Sequence, residues 1–259
     1  YKNMVMVRDT KGYGTDPLFP HEKIIYEKYP GKDEPVDFNN FTHGSRIRRR
    51  EVSLVFNAVD SIEGLAAILR VLSDYNIRAT FFVNGEFIRR YPDAVKEIAE
   101  SGHEVGSLFY IYFNMTDSKF HLNADFIKSG LAKNEDDYFN ATGKDLSAIW
   151  HAPHYFVSSE IIAASREMNY TYIGRDIDPL DWVTKNELNM ASGIYFPSAV
   201  LVERTLQEKK PGSIIPVRAG IGNGGRDDYF FQKLDLLIDG LVKRGYSIVP
   251  VTTLMEHAR

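Results

Sequence analysis

Residues 52–88, VSLVFNAVDSIEGLAAILRVLSDYNIRATFFVNGEFI, decide the fold. Val52–Phe56 is a short apolar run of strand length, bounded by polar residues, and reads as a buried strand. Ile62, Leu65, Ala66, Leu69 and Leu72 then recur at helical spacing on one face. Asp60 or Ser61 is available to cap that helix, with Glu63 close behind. Ala79–Val83 is a second strand. A strand, a helix and a strand in this span make a parallel pair with a crossover helix.

The same alternation continues toward the C-terminus. Tyr91–Pro92 opens a helix with proline at its first position, Gly102 follows its end, and His103–Leu108 is a third strand. Helical stretches follow at 125–140, 159–168, 200–209 and 228–244, the last with Phe231, Leu234, Leu237, Ile238 and Leu241 on one face and Gly245 at its end. Strands are expected up to Trp150, at Tyr170–Gly174, at Ser213–Val217 and, finally, at Tyr246–Val251. Such alternation over some 200 residues predicts a parallel α/β architecture, a barrel or an open sheet, without an internal sequence repeat.

Residues 1–50 differ. Pro17, Pro20, Pro30 and Pro35 interrupt them, so they read as an irregular N-terminal segment with a short strand at Met4–Val7, preceding a domain at 51–259. The run Arg46, Arg48, Arg49 and Arg50 reads as a solvated lead-in to the first strand rather than a binding patch.

Of 259 residues, 44% are apolar and 25% charged, with a net charge of -4, so nothing points to nucleic acid or a membrane surface. There is no cysteine, which excludes disulfides, iron–sulfur clusters and thiolate catalysis; any zinc would need His and carboxylate ligands. No apolar run reaches the ~20 residues that cross a bilayer.

Five blocks, in order, carry a resemblance. Residues 52–88 resemble the first motif, helix and second strand of the NodB-type polysaccharide deacetylases, carbohydrate esterase family 4. YPDAVKEIAESGHEVGS (91–107) is similar to their second helix and third strand, while IWHAPHYFVS (149–158), RDIDPLDW (175–182) and KPGSIIPVR (210–218) stand at the third, fourth and fifth motifs. The resemblance covers about 50–258 and implies a distorted (β/α) barrel with its site at the C-terminal ends of the strands. It also implies metal-assisted removal of acetyl from an N-acetylated sugar. An Asp and two His would hold zinc or another divalent metal, a second Asp would act as base and a His as acid.

Position by position, this chain departs from that pattern. Thr-Phe-Asp-Asp-Gly becomes Val55-Phe56-Asn57-Ala58-Val59, so the base position is Asn57 and the metal carboxylate is Ala58. His-Ser/Thr-x-x-His becomes Leu108-Phe109-Tyr110-Ile111-Tyr112, with Leu108 and Tyr112 in place of both histidine ligands. His151 replaces the Arg that orients the base. Arg218 replaces the acid and cannot give up its proton. Asp178 and Asp181-Trp182 are retained, with His151 the expected partner of the fourth-motif Asp. A zinc ion stripped of three protein ligands would be better hydrated by water, so no cofactor is expected.

A relocated metal site using His151, His154, Asp60, Asp178 or Asp181 finds no matching ligand spacing; hydrogen-bonded residues lining an old pocket are the simpler reading. His103 reads as structural, and His21, His43, His121 and His257 as surface residues. Gly220–Gly225 matches G-x-G-x-x-G, but no second βαβ unit follows, so it reads as a loop. Phe109, Tyr110, Tyr112, Phe113, Tyr155 and Trp182 serve either core packing or sugar stacking. The candidate ligand-contacting set is Tyr110, Tyr112, His151, His154, Tyr155, Trp182 and Arg218.

Two readings stand. One is a deacetylase-like protein without zinc-dependent activity that binds or scaffolds a cell-envelope glycan, an N-acetylated polysaccharide or peptidoglycan. The other is an active hydrolase of the amide bond with relocated ligands or altered chemistry. The envelope location follows from the resemblance alone.

Overall fold

The computed structural model describes residues 28–120, 122–222 and 224–259. The Met4–Val7 strand, His21 and His121 lie outside them. Eight strands form a parallel sheet: β1 (Asn40–Phe41), β2 (Glu51–Ala58), β3 (Thr80–Val83), β4 (Glu104–Ser107), β5 (Ile149–Trp150), β6 (Thr171–Ile173), β7 (Ile214–Arg218) and β8 (Ser247–Ile248). Their order is β1-β6-β5-β4-β3-β2-β7, with β8 also on β2.

Alternation along the strands makes this sheet a barrel wall. Phe41, Val55, Phe82, Ile149, Ile173 and Ile214 come from six different strands, yet they share one buried cluster with Leu108, just past β4. Their neighbours Leu54, Phe56, Phe81 and Val83 belong to a second cluster, under the outer helices. The strand ladder stops between β1 and β7. There the edges are joined by a His43–Ser213 bridge, by Gly44 N–H on the Gly212 carbonyl (2.8 Å) and by Asp176 N–H on the Ile214 carbonyl (3.2 Å). The result is a distorted (β/α) barrel.

That seam is held by Arg46. It is 1% exposed, forks onto both Asp176 oxygens (2.9 and 2.7 Å), and also donates to Glu34 (2.8 Å) and to the Pro211 carbonyl (3.0 Å). The expected solvated lead-in is therefore corrected for Arg46: a guanidinium can be buried where bidentate carboxylate and carbonyl partners use its donors.

The helices are α1 (Leu65–Asp74), α2 (Gly85–Arg90), α3 (Pro92–Glu100), α4 (Ala124–Thr142), α5 (Ser159–Arg166), α6 (Glu187–Ala191), α7 (Ser198–Glu208), α8 (Leu234–Lys243) and α9 (Val251–Ala258). α6 is not among the expected helices, and α1, α2 and α9 also differ from expectation. α2 has six residues, too few for a periodic pattern, and is set by the Asn84 side chain accepting from Glu86 N–H. α9 takes over part of the expected last strand, which ends at Ile248. It plugs the N-terminal mouth of the barrel, where Val251 N–H donates to Thr80 at the start of β3 (2.9 Å).

α1 begins at Leu65 with Gly64 as its N-cap and no side-chain cap. Gly64 donates to the Ala219 carbonyl, and a Cβ there would sit 2.5 Å from that oxygen. Asp60 and Ser61, the expected caps, turn instead to Arg218 and to Gly222 N–H. Nor are His43 and His257 free surface residues: His43 hydrogen-bonds the Gly44 carbonyl, and His257 Nδ1 lies 2.7 Å from Glu51.

Candidate active site

The C-terminal strand ends surround a cavity of about 410 Å³. Asn57 comes from the end of β2, Tyr112 from the loop after β4, His154, Tyr155 and Phe156 from the turn after β5. Arg175, Asp178, Asp181 and Trp182 follow β6, and Arg218 ends β7. Five of the seven candidate contact residues thus meet here. Tyr110 is not among them: its ring packs against Phe109 and Phe126, facing α4, with Lys133 over its face. Phe109 and Phe113 likewise pack in the α4–α5 layer.

His151 lies one layer below, 2% exposed. Its ring stacks on Tyr155 at 4.3 Å and only 2° from parallel, and meets Phe82 edge-on. Burial pushes its pKa down to about 3, so the ring is neutral. Nδ1 lies 3.0 Å from the Ala152 carbonyl, and Nε2 lies 2.9 Å from the Asn57 amide, whose other end is 3.2 Å from the Tyr155 hydroxyl. The Ala152 carbonyl can only accept, so the single ring proton belongs on Nδ1. As placed, Asn57 Oδ1 faces Nε2 and Nδ2 donates to the Tyr155 hydroxyl; since Nε2 accepts in that tautomer, the amide turned end for end, which fills the same space, satisfies both neighbours. Burial pushes the Tyr155 phenol far up. The floor is a neutral, closed network.

His154 and Tyr155 carry consecutive positive φ values, 58° and 62°. Non-glycine residues avoid this region, at a cost of about 1 kcal/mol or more each. The strained turn stacks Tyr155 on His151 and brings His154 to within 4.4 Å of Tyr112.

The charged wall was only partly legible in the sequence. Asp178 pairs with Arg175 (2.9 Å) and accepts from Trp182 Nε1 (3.1 Å). Asp181 accepts from Arg218 N–H (2.7 Å). The expected bond from the fourth-motif Asp to His151 is absent; His151 holds Asn57 instead. Arg175 also lies 4.9 Å over the Tyr155 ring. Sequence reading missed it because a lone Arg beside an acidic motif carries no spacing signature. Arg218 spans the mouth to Asp60 (2.8 Å), and burial raises the Asp181 carboxyl to about 6, against the neighbouring guanidinium.

The polysaccharide deacetylase family matches residues 45–173. The chain belongs to that family. A peptidoglycan-N-acetylglucosamine deacetylase of Bacillus cereus is 28% identical over 218 residues, 82% of this chain and 70% of the relative. Among solved structures, a family 4 pseudoenzyme from Bacillus anthracis superposes with a TM-score of 0.72 at 22% identity, covering 86% of this chain and 71% of its own. A mutant of that protein, described as having restored enzymatic activity, fits equally well, with 22% identity over 86% of this chain and 74% of its own. At such identity these structures establish the fold.

The family reaction is generally metal-dependent, and the residues at the ligand positions do not fit a metal. Ala58 and Leu108 are fully buried, carry no donor atom and belong to the apolar clusters. Tyr112 has a phenol pushed up by burial, despite the opposing charge of Arg218. Among the described residues, no three His, Asp or Glu converge elsewhere in a metal-binding arrangement.

Proposed function

We propose that this member of the polysaccharide deacetylase family does not carry out metal-dependent N-deacetylation and instead binds an N-acetylated cell-envelope glycan outside the cytoplasmic membrane. The observation that carries the reading is the Asn57 network. The residue at the base position is an amide locked between His151 and Tyr155, beside two ligand positions that offer only buried hydrocarbon. An amide cannot accept a proton at neutral pH, and a permanent guanidinium cannot deliver one to a leaving amine.

Binding is supported by what remains. A cavity of about 410 Å³ lies within the range of small-molecule sites. Tyr112, His154 and Tyr155 lie along it, and Trp182 and Phe156, each about half exposed, offer apolar ring faces to a pyranose. The relatives include proteins named for action on peptidoglycan and chitooligosaccharides. The test combines metal analysis of the purified protein, acetate release from N-acetylglucosamine oligomers with and without a chelator, and calorimetric titration of the same oligomers. Saturable binding with neither stoichiometric zinc nor acetate release is expected. Stoichiometric zinc, or turnover that a chelator abolishes, overturns it in favour of an active hydrolase.

A further inference from the structure

The cavity of about 410 Å³ occupies one end of the barrel. The other end, the N-terminal mouth plugged by α9, is ringed by cations. Arg48, Arg49 and Arg50 lead into β2 there, and Arg259 follows α9. Arg48 donates to the main-chain oxygen of Arg259, which ties the two segments into one surface. Arg49 is 57% exposed and lies 3.5 Å from Glu51, a carboxylate that His257 also engages. Arg50 lies 4.0 Å over the ring of Tyr29. The neighbouring acids Asp33 and Glu34 are turned to Ser45, Arg46 and Lys210, and α9 adds one exposed acid, Glu256. The whole chain carries a net charge of -4, so this is a basic end on an acidic molecule.

Two apolar groups are set among these charges. Ile47, next to Arg48 in the chain, is 42% exposed, and Tyr29 is 37% exposed. A soluble polyanion would satisfy the arginines but offers nothing to Ile47. A lipid surface satisfies both. Headgroup phosphates take the guanidinium donors, while an aliphatic side chain and the apolar body of a tyrosine ring enter the boundary with the acyl chains. We propose that the N-terminal end of the barrel docks on an anionic lipid surface through Arg48, Arg49, Arg50, Arg259, Ile47 and Tyr29. Docked in this way, the C-terminal strand ends face away from the lipid, and the pocket opens toward polymer beyond it. The docking itself does not depend on what the pocket binds. It is peripheral and reversible, because salt screens the arginines and one isoleucine buries too little surface to anchor a chain.

The test is sedimentation of the whole chain with vesicles of phosphatidylcholine, alone or with about one-third phosphatidylglycerol, at low and high salt. Binding to the anionic vesicles only, falling as salt rises, is expected. Arg48→Gln combined with Arg49→Gln should weaken it roughly twentyfold, about fivefold for each cation removed. Ile47→Ser should weaken it severalfold at every salt concentration. Lys96→Gln removes an exposed charge on α3 and should leave binding within about twofold. All variants are checked for an unchanged melting profile. No binding to anionic vesicles, equal binding to neutral ones, or undiminished binding of the double variant overturns the proposal. Full binding by Ile47→Ser overturns the lipid as occupant in favour of a purely electrostatic polyanion site, which inorganic polyphosphate would then fill.

Discussion

Two arginines flanking β7 have been given opposite assignments by their surroundings. Arg46, at the seam between β1 and β7, is 1% exposed and spends its donors on Asp176, Glu34 and the Pro211 carbonyl. Arg218, at the mouth, keeps 28% of its side chain exposed, has one carboxylate on its guanidinium and leaves Nε without a partner. The same side chain is thus a closed rivet in one place and an unfinished contact in the other. In a buried site, complete satisfaction of a cation's donors points to a structural role.

The comparison breaks most visibly at Arg46. Arg46→Met leaves Asp176, 16% exposed, without its bidentate partner and with only Ser213 beside it among the described residues, and removing one member of a largely buried ion pair costs about 3 kcal/mol. Arg218→Met, at a half-open site, should cost within about 1 kcal/mol. Urea unfolding of both variants decides this. Equal losses would mean that the mouth is as structural as the seam. Gly212, at the same seam, comes next. Its φ is +80°, and a Cβ would lie 2.5 Å from the Gly44 carbonyl oxygen, a backbone atom that cannot step aside. Gly212→Ala is expected to lose about 2–3 kcal/mol in the same assay.

The seam and the mouth were also unequally legible in the sequence. Periodicity found the strands around Val52–Ala58 and Thr80–Val83 and the face of α1, because one apolar pattern serves both local propensity and core packing there. From sequence Arg46 reads as solvated, since nothing in a run of four arginines marks the one that meets an Asp 130 residues later. The caps expected from Asp60 and Ser61 failed for a related reason: long-range demand from Arg218 and Gly222 outweighed the local one. At the site, motif order placed Asn57, Ala58, Leu108, Tyr112, His151 and Arg218 at the strand ends. It could not show that Tyr110 faces α4, or that Arg175, rather than His151, pairs with Asp178. Those facts depend on side-chain direction and packing, which spacing does not encode.

Acid sharpens the contrast between the closed floor and the charged wall. Burial pushes His151 down to about 3 and His103 to about 4, from an ordinary value of 6.5. Below pH ~6.5 the unfolded chain therefore takes up protons that these two folded rings refuse, and stability falls as pH drops toward 4. Asp181 acts with the opposite sign. Its folded carboxyl, near 6, holds a proton between pH ~4 and ~6 that the unfolded one has released, so it adds stability as pH falls through that window. His154 is pushed down by burial as well, so three histidines outweigh the one carboxyl and leave a net loss of stability below pH ~6. Asp181→Asn keeps an acceptor for Arg218 N–H but cannot titrate, and should steepen that loss. Urea midpoints at pH 7, 6, 5 and 4 measure it; an acid slope unaltered in the variant would remove Asp181 from the balance.

The smallest effect on stability should carry the largest information about the mouth. Gly222, like Gly212, has a positive φ, +58°, and a Cβ there also meets an atom too closely, at 2.7 Å. The atom is the tip of the Arg218 side chain rather than backbone, so it can move away. Gly222→Ala should therefore cost only about 1 kcal/mol, the left-handed penalty for an L-residue. It should nonetheless displace the guanidinium from Asp60, perturb the pocket wall and weaken binding of N-acetylglucosamine oligomers in calorimetric titration. A variant as unstable as Gly212→Ala would show that the loop is a structural element. A stable variant with unchanged oligomer affinity would show that the position of the guanidinium has no bearing on what the pocket binds.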